Sequence, residues 1–166
     1  MNSIETNTEQ KNVFFYFMRH AQSLANIGQN TLNSPLSPEG ILQASKLVGN
    51  VDIVILSGLK RTRQTLEYSN IVYNNTMVVP LCNEIKSGSI SDVIENDTEL
   101  EETYFSALSR KTNFKIFLKN LALTMLEKDK DVNILIISHS EFIRFLLDMD
   151  RYLYNCEFVV KNSKNL

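Results

Sequence analysis

The 166-residue sequence predicts an α/β fold, a three-layer α/β/α sandwich around a mainly parallel central sheet. Two observations predict it. Three short runs, Val13–Met18, Val51–Leu56 and Val132–Ile137, have strand length and are rich in β-branched or aromatic residues. They are almost continuously apolar rather than alternating, as strands buried on both faces of a parallel sheet are. Helical patterns lie between them, and strand–helix alternation is how a parallel sheet acquires a cover on each side.

The first run is the first strand. Ser37-Pro38-Glu39 then opens a helix, with Ser37 as N-cap and Pro38 at the first helical position. Ile41, Leu42, Ser45 and Val48 follow at helical spacing, and Gly49-Asn50 is its expected stop. After the second strand, Arg61 to Ser69 forms a short helix, followed by a minor strand over Met77 to Val79 that Pro80 ends. Residues 104–128 carry Phe114, Phe117, Leu118, Leu121 and Met125 at helical spacing, as one helix or as two broken near Thr112-Asn113. The third long strand leads into a helix over Ser140 to Met149, and Phe158 to Val160 form a last edge strand. No internal repeat and no linker divides the chain. Residues 1–166 are expected to form one domain, with a polar N-terminal tail over 1–12 and an acidic loop plus helical insert over 84–128.

Composition narrows the function. Seventeen basic against nineteen acidic residues give no footprint for nucleic acid or an anionic membrane. Two cysteines, Cys82 and Cys156, are too few for a disulfide framework or a thiolate zinc site and suit a reducing compartment. The longest apolar run has six residues, far short of the about 20 that span a bilayer, so a cytoplasmic location is expected.

Each long strand ends in groups suited to anion chemistry: Arg19-His20 after the first, Ser57-Gly58 and then Arg61 after the second, Ser138-His139-Ser140 after the third. Ligands bind at the carboxyl edge of open α/β sheets. Both histidines and two arginines are therefore expected on one rim, where they would form a phosphate or carboxylate site without metal.

Those residues also carry a resemblance. Arg19-His20-Ala-Gln-Ser23-Leu-Ala-Asn26 resembles the opening signature of the histidine phosphatase superfamily, the phosphoglycerate-mutase-like proteins. Leu36-Ser37-Pro38-Glu39-Gly40 with Gln43-Ala44, Ser57-Gly-Leu59-Lys-Arg61-Thr-Arg-Gln64-Thr65, Leu81-Cys-Asn-Glu84, Ile137-Ser138-His139 and Asn155-Cys156 resemble its later segments in the same order, across residues 13–160. Three positions depart from the pattern. Ala21 stands for the usual glycine, Gln22 for the usual acid, and Ser140 for the glycine after the second histidine. The Ser140 hydroxyl is expected to cap its helix while its N–H faces phosphate.

The resemblance implies a phosphoglycerate-mutase-like fold and a phosphatase acting on phosphate monoesters. It makes His20 the nucleophile, forming a phosphohistidine, and Arg19, Arg61 and a charged His139 the phosphate clamp. Asn26 and Ser140 add substrate contacts. Glu84 is the general acid and later the base, with Glu141 as the runner-up; Arg63, two residues from Arg61, points to the surface. No cofactor and no metal is implied. The stretch from Glu84 to Thr103, with seven acids and one lysine, is a solvated loop or a lid, and as a lid its charge disfavours polyanionic substrates. Only 54 residues separate Glu84 from His139, whereas the family's sugar-phosphate mutases carry a large insert there. A compact hydrolase is therefore expected, with a mutase or a non-catalytic phospho-ligand module as alternatives. The substrate is a phosphorylated small molecule or a phosphoprotein; the sequence is silent on oligomeric state.

Overall fold

The computed structural model describes residues 11–166; most of the expected polar tail over 1–12 lies outside the described residues. Five strands, β1 (Val13–Arg19), β2 (Val48–Leu56), β3 (Asn70–Val78), β4 (Val132–Ser138) and β5 (Phe158–Asn162), form one sheet in the order β3-β2-β4-β1-β5. All pairs are parallel except β1–β5. The helices are α1 (Pro38–Ser45), α2 (Lys60–Glu67), α3 (Tyr104–Met125) and α4 (Ser140–Leu146).

Alternate residues of the central strands face opposite layers. Phe15, Phe17, Ile55 and Ile136 pack against Phe114 and Leu118 of α3 and Phe142 and Ile143 of α4. On the other face Met18, Val54, Leu56, Leu135 and Ile137 meet Leu66 of α2, while Ala44 of α1 packs with Ala21 and Leu36. This is the expected three-layer sandwich. Because β4 is central and its register sets Ser138 beside Arg19, and Ile137 beside Leu56, the carboxyl ends of β1, β2 and β4 lie level.

Three local expectations need correction, and one open alternative, the third below, is decided. Val48 does not belong to α1: that helix closes with Lys46 N–H on the Gln43 carbonyl and Leu47 N–H on the Ala44 carbonyl. Val48, Gly49 and Asn50 then pair with β3, so β2 begins three residues earlier than its apolar run. Val48 is 77% exposed; its helical spacing is coincidental. Likewise β3 starts at Asn70, well before Met77, because sheet pairing extends a polar edge strand that periodicity does not mark. Third, α3 runs unbroken through Thr112 and Asn113, which lie on its exposed face; the Thr112 hydroxyl bonds back to the Leu108 carbonyl. Fourth, α4 stops at Leu146, with Asp148 in the left-handed region at φ 51°.

Candidate active site

His20 follows β1 directly and is 3% exposed. Its backbone is held on all sides. The His20 N–H donates to the Ser138 carbonyl, and its own carbonyl accepts from Asn155 Nδ2 and the Cys156 N–H. The imidazole tautomer is decided by its partners. Nδ1 lies 2.6 Å from the Ala21 carbonyl, which only accepts, so Nδ1 carries the proton. Nε2 receives the Arg61 Nε–H at 3.0 Å, and a guanidinium only donates, so Nε2 presents its lone pair. Burial and the charges of Arg61 and Arg19 hold the His20 pKa well below its usual value, so the ring is neutral at pH 7.

Arg61, in the first turn of α2, is itself buried. Besides His20 it donates from Nη1 to the Ser91 carbonyl at 2.8 Å and from Nη2 to Asp92 Oδ1 at 2.6 Å. Arg19 donates from Nη1 to the Leu153 carbonyl at 2.8 Å, and its buried Nε has no partner among the described residues. Arg63 is exposed, as its spacing from Arg61 requires, and reaches only the Gly58 carbonyl.

His139 is fully buried at the end of β4, its ring centroid 5.1 Å from that of His20. Ser57 Oγ lies 2.7 Å from its Nε2, and Nδ1 has no partner among the described residues. The expected imidazolium is not supported in the free protein. Burial first, then Arg61 and the neighbouring His20, hold its pKa well below the usual range. A neutral His139 donates from Nδ1 only if Ser57 donates its hydroxyl proton to Nε2.

Glu84 stands just past the short 3₁₀ turn Pro80–Cys82, half-buried, with its carboxylate directed at the start of α4. Oε1 accepts from the Ile85 and Phe142 N–H groups at 2.9 Å, and Oε2 from Glu141 N–H at 3.4 Å. Burial pushes its pKa up to about 7 and Asp92 adds to that push, against the lowering effect of the hydrogen bonds and of Arg61. Glu141, the other acid considered, pairs with Arg144 at 2.7 Å, and the hydrogen bond to Arg144 holds its pKa below the usual range.

Arg19, His20, Asn26, Arg61, Glu84 and Asp92 share one polar cavity of about 240 Å³. Asn26 is exposed at its mouth; its Oδ1 accepts from Ser23 N–H and Asn155 Nδ2. Ser140 is not on this wall, and its hydroxyl is not a cap. It donates to the Leu153 carbonyl at 3.2 Å, and His139 holds the N-cap position of α4. Gln22 has a structural part: its Oε1 accepts from the Ser37 hydroxyl, and its N–H donates to Gln43 Oε1, joining the His20 loop to α1.

Sequence reasoning missed Asp92. One acid among seven in an aperiodic stretch carries no local signal. The 84–103 segment is also more than a solvated loop, because its 3₁₀ turn Ile90–Asp92 forms a wall of the cavity. Asn155 was singled out only as part of a dipeptide, and its amide proves to anchor the His20 carbonyl.

Among the described residues, three buried polar atoms have no partner: Arg19 Nε, Ser23 Oγ and His139 Nδ1. All belong to residues at or beside this cavity. Buried polar atoms are costly to leave unsatisfied, by about 1–3 kcal/mol each, so their collection beside two guanidiniums fits an oxyanion such as a phosphoryl group.

A model of the histidine phosphatase superfamily (branch 1) matches residues 15–149. No curated protein matches the chain. Solved structures do. The open reading frame Rv3214 of Mycobacterium tuberculosis superposes with TM-score 0.66 at 16% identity, covering 90% of this chain and 91% of that one. Phosphoserine phosphatase of Entamoeba histolytica in complex with 3-phosphoglyceric acid gives 0.60 at 20% identity, covering 89% of each chain. Alpha-ribazole phosphatase of Shigella flexneri gives 0.60 at 18% identity, also over 89% of each. At these identities the likeness is one of fold.

Proposed function

The chain belongs to the histidine phosphatase superfamily, and from that premise we propose that it hydrolyses phosphate monoesters through a phosphohistidine formed on His20. The observation that carries this reading is the tautomer of His20. With Nδ1–H fixed on the Ala21 carbonyl and Nε2 unprotonated beside Arg61, the ring is a neutral nucleophile poised at a cationic cavity.

In the first step the Nε2 lone pair attacks phosphorus in line with the ester oxygen. The P–O ester bond breaks, and Glu84, protonated up to about pH 7, gives its proton to the departing alkoxide. Arg19 and Arg61 neutralise the equatorial oxygens, and an uncharged His139 adds a hydrogen bond from Nδ1 when Ser57 donates to its Nε2. In the second step ionised Glu84 takes a proton from water, the water oxygen attacks phosphorus, and the P–Nε2 bond breaks to return neutral His20. Asn26 and Asn30 line the cavity and are exposed, which leaves water free to reach the intermediate and favours hydrolysis over mutase chemistry. The substrate is a phosphorylated small molecule or protein, with no cofactor.

An aryl phosphate assay with rapid-quench trapping of labelled phosphate tests the reading. The wild type is expected to accumulate an acid-labile, alkali-stable phosphoenzyme that is absent in His20→Ala, with the rate falling to background. A wild type no faster than His20→Ala refutes it. Phosphoglycerate isomerisation that depends on a bisphosphoglycerate primer and exceeds hydrolysis would instead establish a mutase.

A further inference from the structure

The cationic side of the cavity is matched, charge for charge, by carboxylates. Among the described residues its wall holds two guanidiniums, Arg19 and Arg61, two carboxylates, Glu84 and Asp92, and no lysine. Asp92 is not a loosely placed surface acid. It pairs with Arg61 at 2.6 Å, and both side chains are nearly buried, 4% exposed for the arginine and 12% for the aspartate. Its turn is fastened on both sides. Ser34 N–H bonds the Ser91 carbonyl, Asn33 N–H bonds the Ile90 carbonyl, and the Asp92 N–H bonds the Ser89 carbonyl.

His20 forms the buried floor, so a leaving group departs on the open side, toward the wall that carries Glu84 and Asp92. A phosphoryl dianion on Arg19 and Arg61 uses the cations of this cavity. A second anion on the same ligand then meets Asp92 with no free cation to answer it. The ground beyond is acidic as well. Glu84 also borders an adjoining cavity of about 340 Å³ walled by Asp97, Glu99, Glu101 and Glu102. Its two cations are already paired, Lys86 with Asp97 and Arg110 with Glu102, and Glu99 and Glu101 have no ion pair among the described residues.

We propose that Asp92 determines the substrate class, admitting phosphate monoesters whose leaving group is neutral or carries an ammonium and rejecting those that bear a second anionic group. This rests on the phosphatase reading for the word substrate, while the charge selection itself is a property of binding. Asp92 acts through space on the leaving-group end and through its hydrogen bond on the orientation of Arg61; it takes no part in bond making.

Three phosphonates that share a two-carbon stem and have no ester bond to cleave test the proposal without turnover: 2-aminoethylphosphonate, n-propylphosphonate and 2-carboxyethylphosphonate. Their affinities are measured by calorimetry on the wild type and on Asp92→Asn, which keeps the shape and an acceptor for Arg61. A unit charge nearby in a partly desolvated site is worth about tenfold or more in affinity. The wild type is therefore expected to bind the amino compound at least about tenfold more tightly than the carboxy compound, with the propyl compound between. In Asp92→Asn the spread is expected to fall to within about threefold, mainly through tighter binding of the carboxy compound. A wild type that binds the carboxy compound as tightly as the amino one overturns the proposal, as does a folded Asp92→Asn that keeps the full spread. Should that variant not fold, Asp92→Ser takes its place: a spread that collapses supports the proposal, and a full spread in the folded variant refutes it. If the charge order holds but no ester is turned over, the phosphatase reading falls and the role of Asp92 stands.

Discussion

At the scale of single residues, the site is governed by which atom holds which proton. Burial keeps the His20 ring neutral and raises the Glu84 pKa to about 7, so that in the proposed reaction one serves as a base with a free lone pair and the other, below that pH, as an acid. For a carboxyl, a raised pKa means the proton is retained to higher pH and lost as pH climbs through the new value. The acid form of Glu84 is therefore present below about pH 7 and lost above it. With an alkyl phosphate, whose leaving group needs that proton, kcat/KM is expected to fall as pH rises through about 7. Glu84→Gln should lower kcat/KM about a hundredfold or more and remove that limb from the pH profile. A retained limb in Glu84→Gln would assign the titration to another group. His20, Arg19, Arg61 and Glu84 were legible because each stands in a short motif. Asp92 was not, since what distinguishes it from Asp97 or Glu99 is the guanidinium it meets across the cavity.

At the scale of elements, the loop after β1 is held by the helix that packs behind it. Gly40 sits in the first turn of α1, where an added Cβ would lie 1.9 Å from the Gln22 carbonyl oxygen and 2.9 Å from its carbonyl carbon. That neighbour is backbone and cannot swing aside. Alanine is the better helix former by about 1 kcal/mol, yet the clash outweighs it. Gly40→Ala is expected to destabilise by about 1–3 kcal/mol in urea titration. It should also lower kcat, because Gln22 is two residues from His20; an unchanged midpoint and rate would show the helix free to shift. The strand and helix order was legible here from apolar runs and the Ser37-Pro38 start, and Ser37 does accept from the Gly40 N–H. Boundaries were not. The start of β2 and nearly all of β3 are decided by partner strands remote in sequence rather than by their own residues.

At the scale of the whole molecule, the carboxyl edge of the sheet gathers buried polar groups that have no partner among the described residues. A ligand that completes their hydrogen bonds binds the folded form and not the unfolded one, and so raises stability. Vanadate at a hundred times its Kd should add about 2.7 kcal/mol, a rise of about 5–10 °C in Tm for a chain of this size. Scanning fluorimetry reads this directly. The same ligand concentration should leave the Tm of Arg61→Ala unmoved, and an equal rise in that variant would place the anion elsewhere. No helix of the described residues is long and apolar enough to cross a membrane.

By itself the sequence determined the α/β class, the family and the motif residues Arg19, His20, Arg61 and Glu84 that meet at the cavity. Those depend on local pattern: the period of apolar residues, a capping signal, and short motifs in order. The tertiary structure decided the rest. It set the proton on His20 Nδ1, lowered the His139 pKa by burial, raised that of Glu84, and turned one acid of an unremarkable segment onto Arg61. Each of these depends on burial and on charges many residues apart, because in a desolvated cavity the energy of a proton is set by what surrounds it and not by what precedes it in the chain.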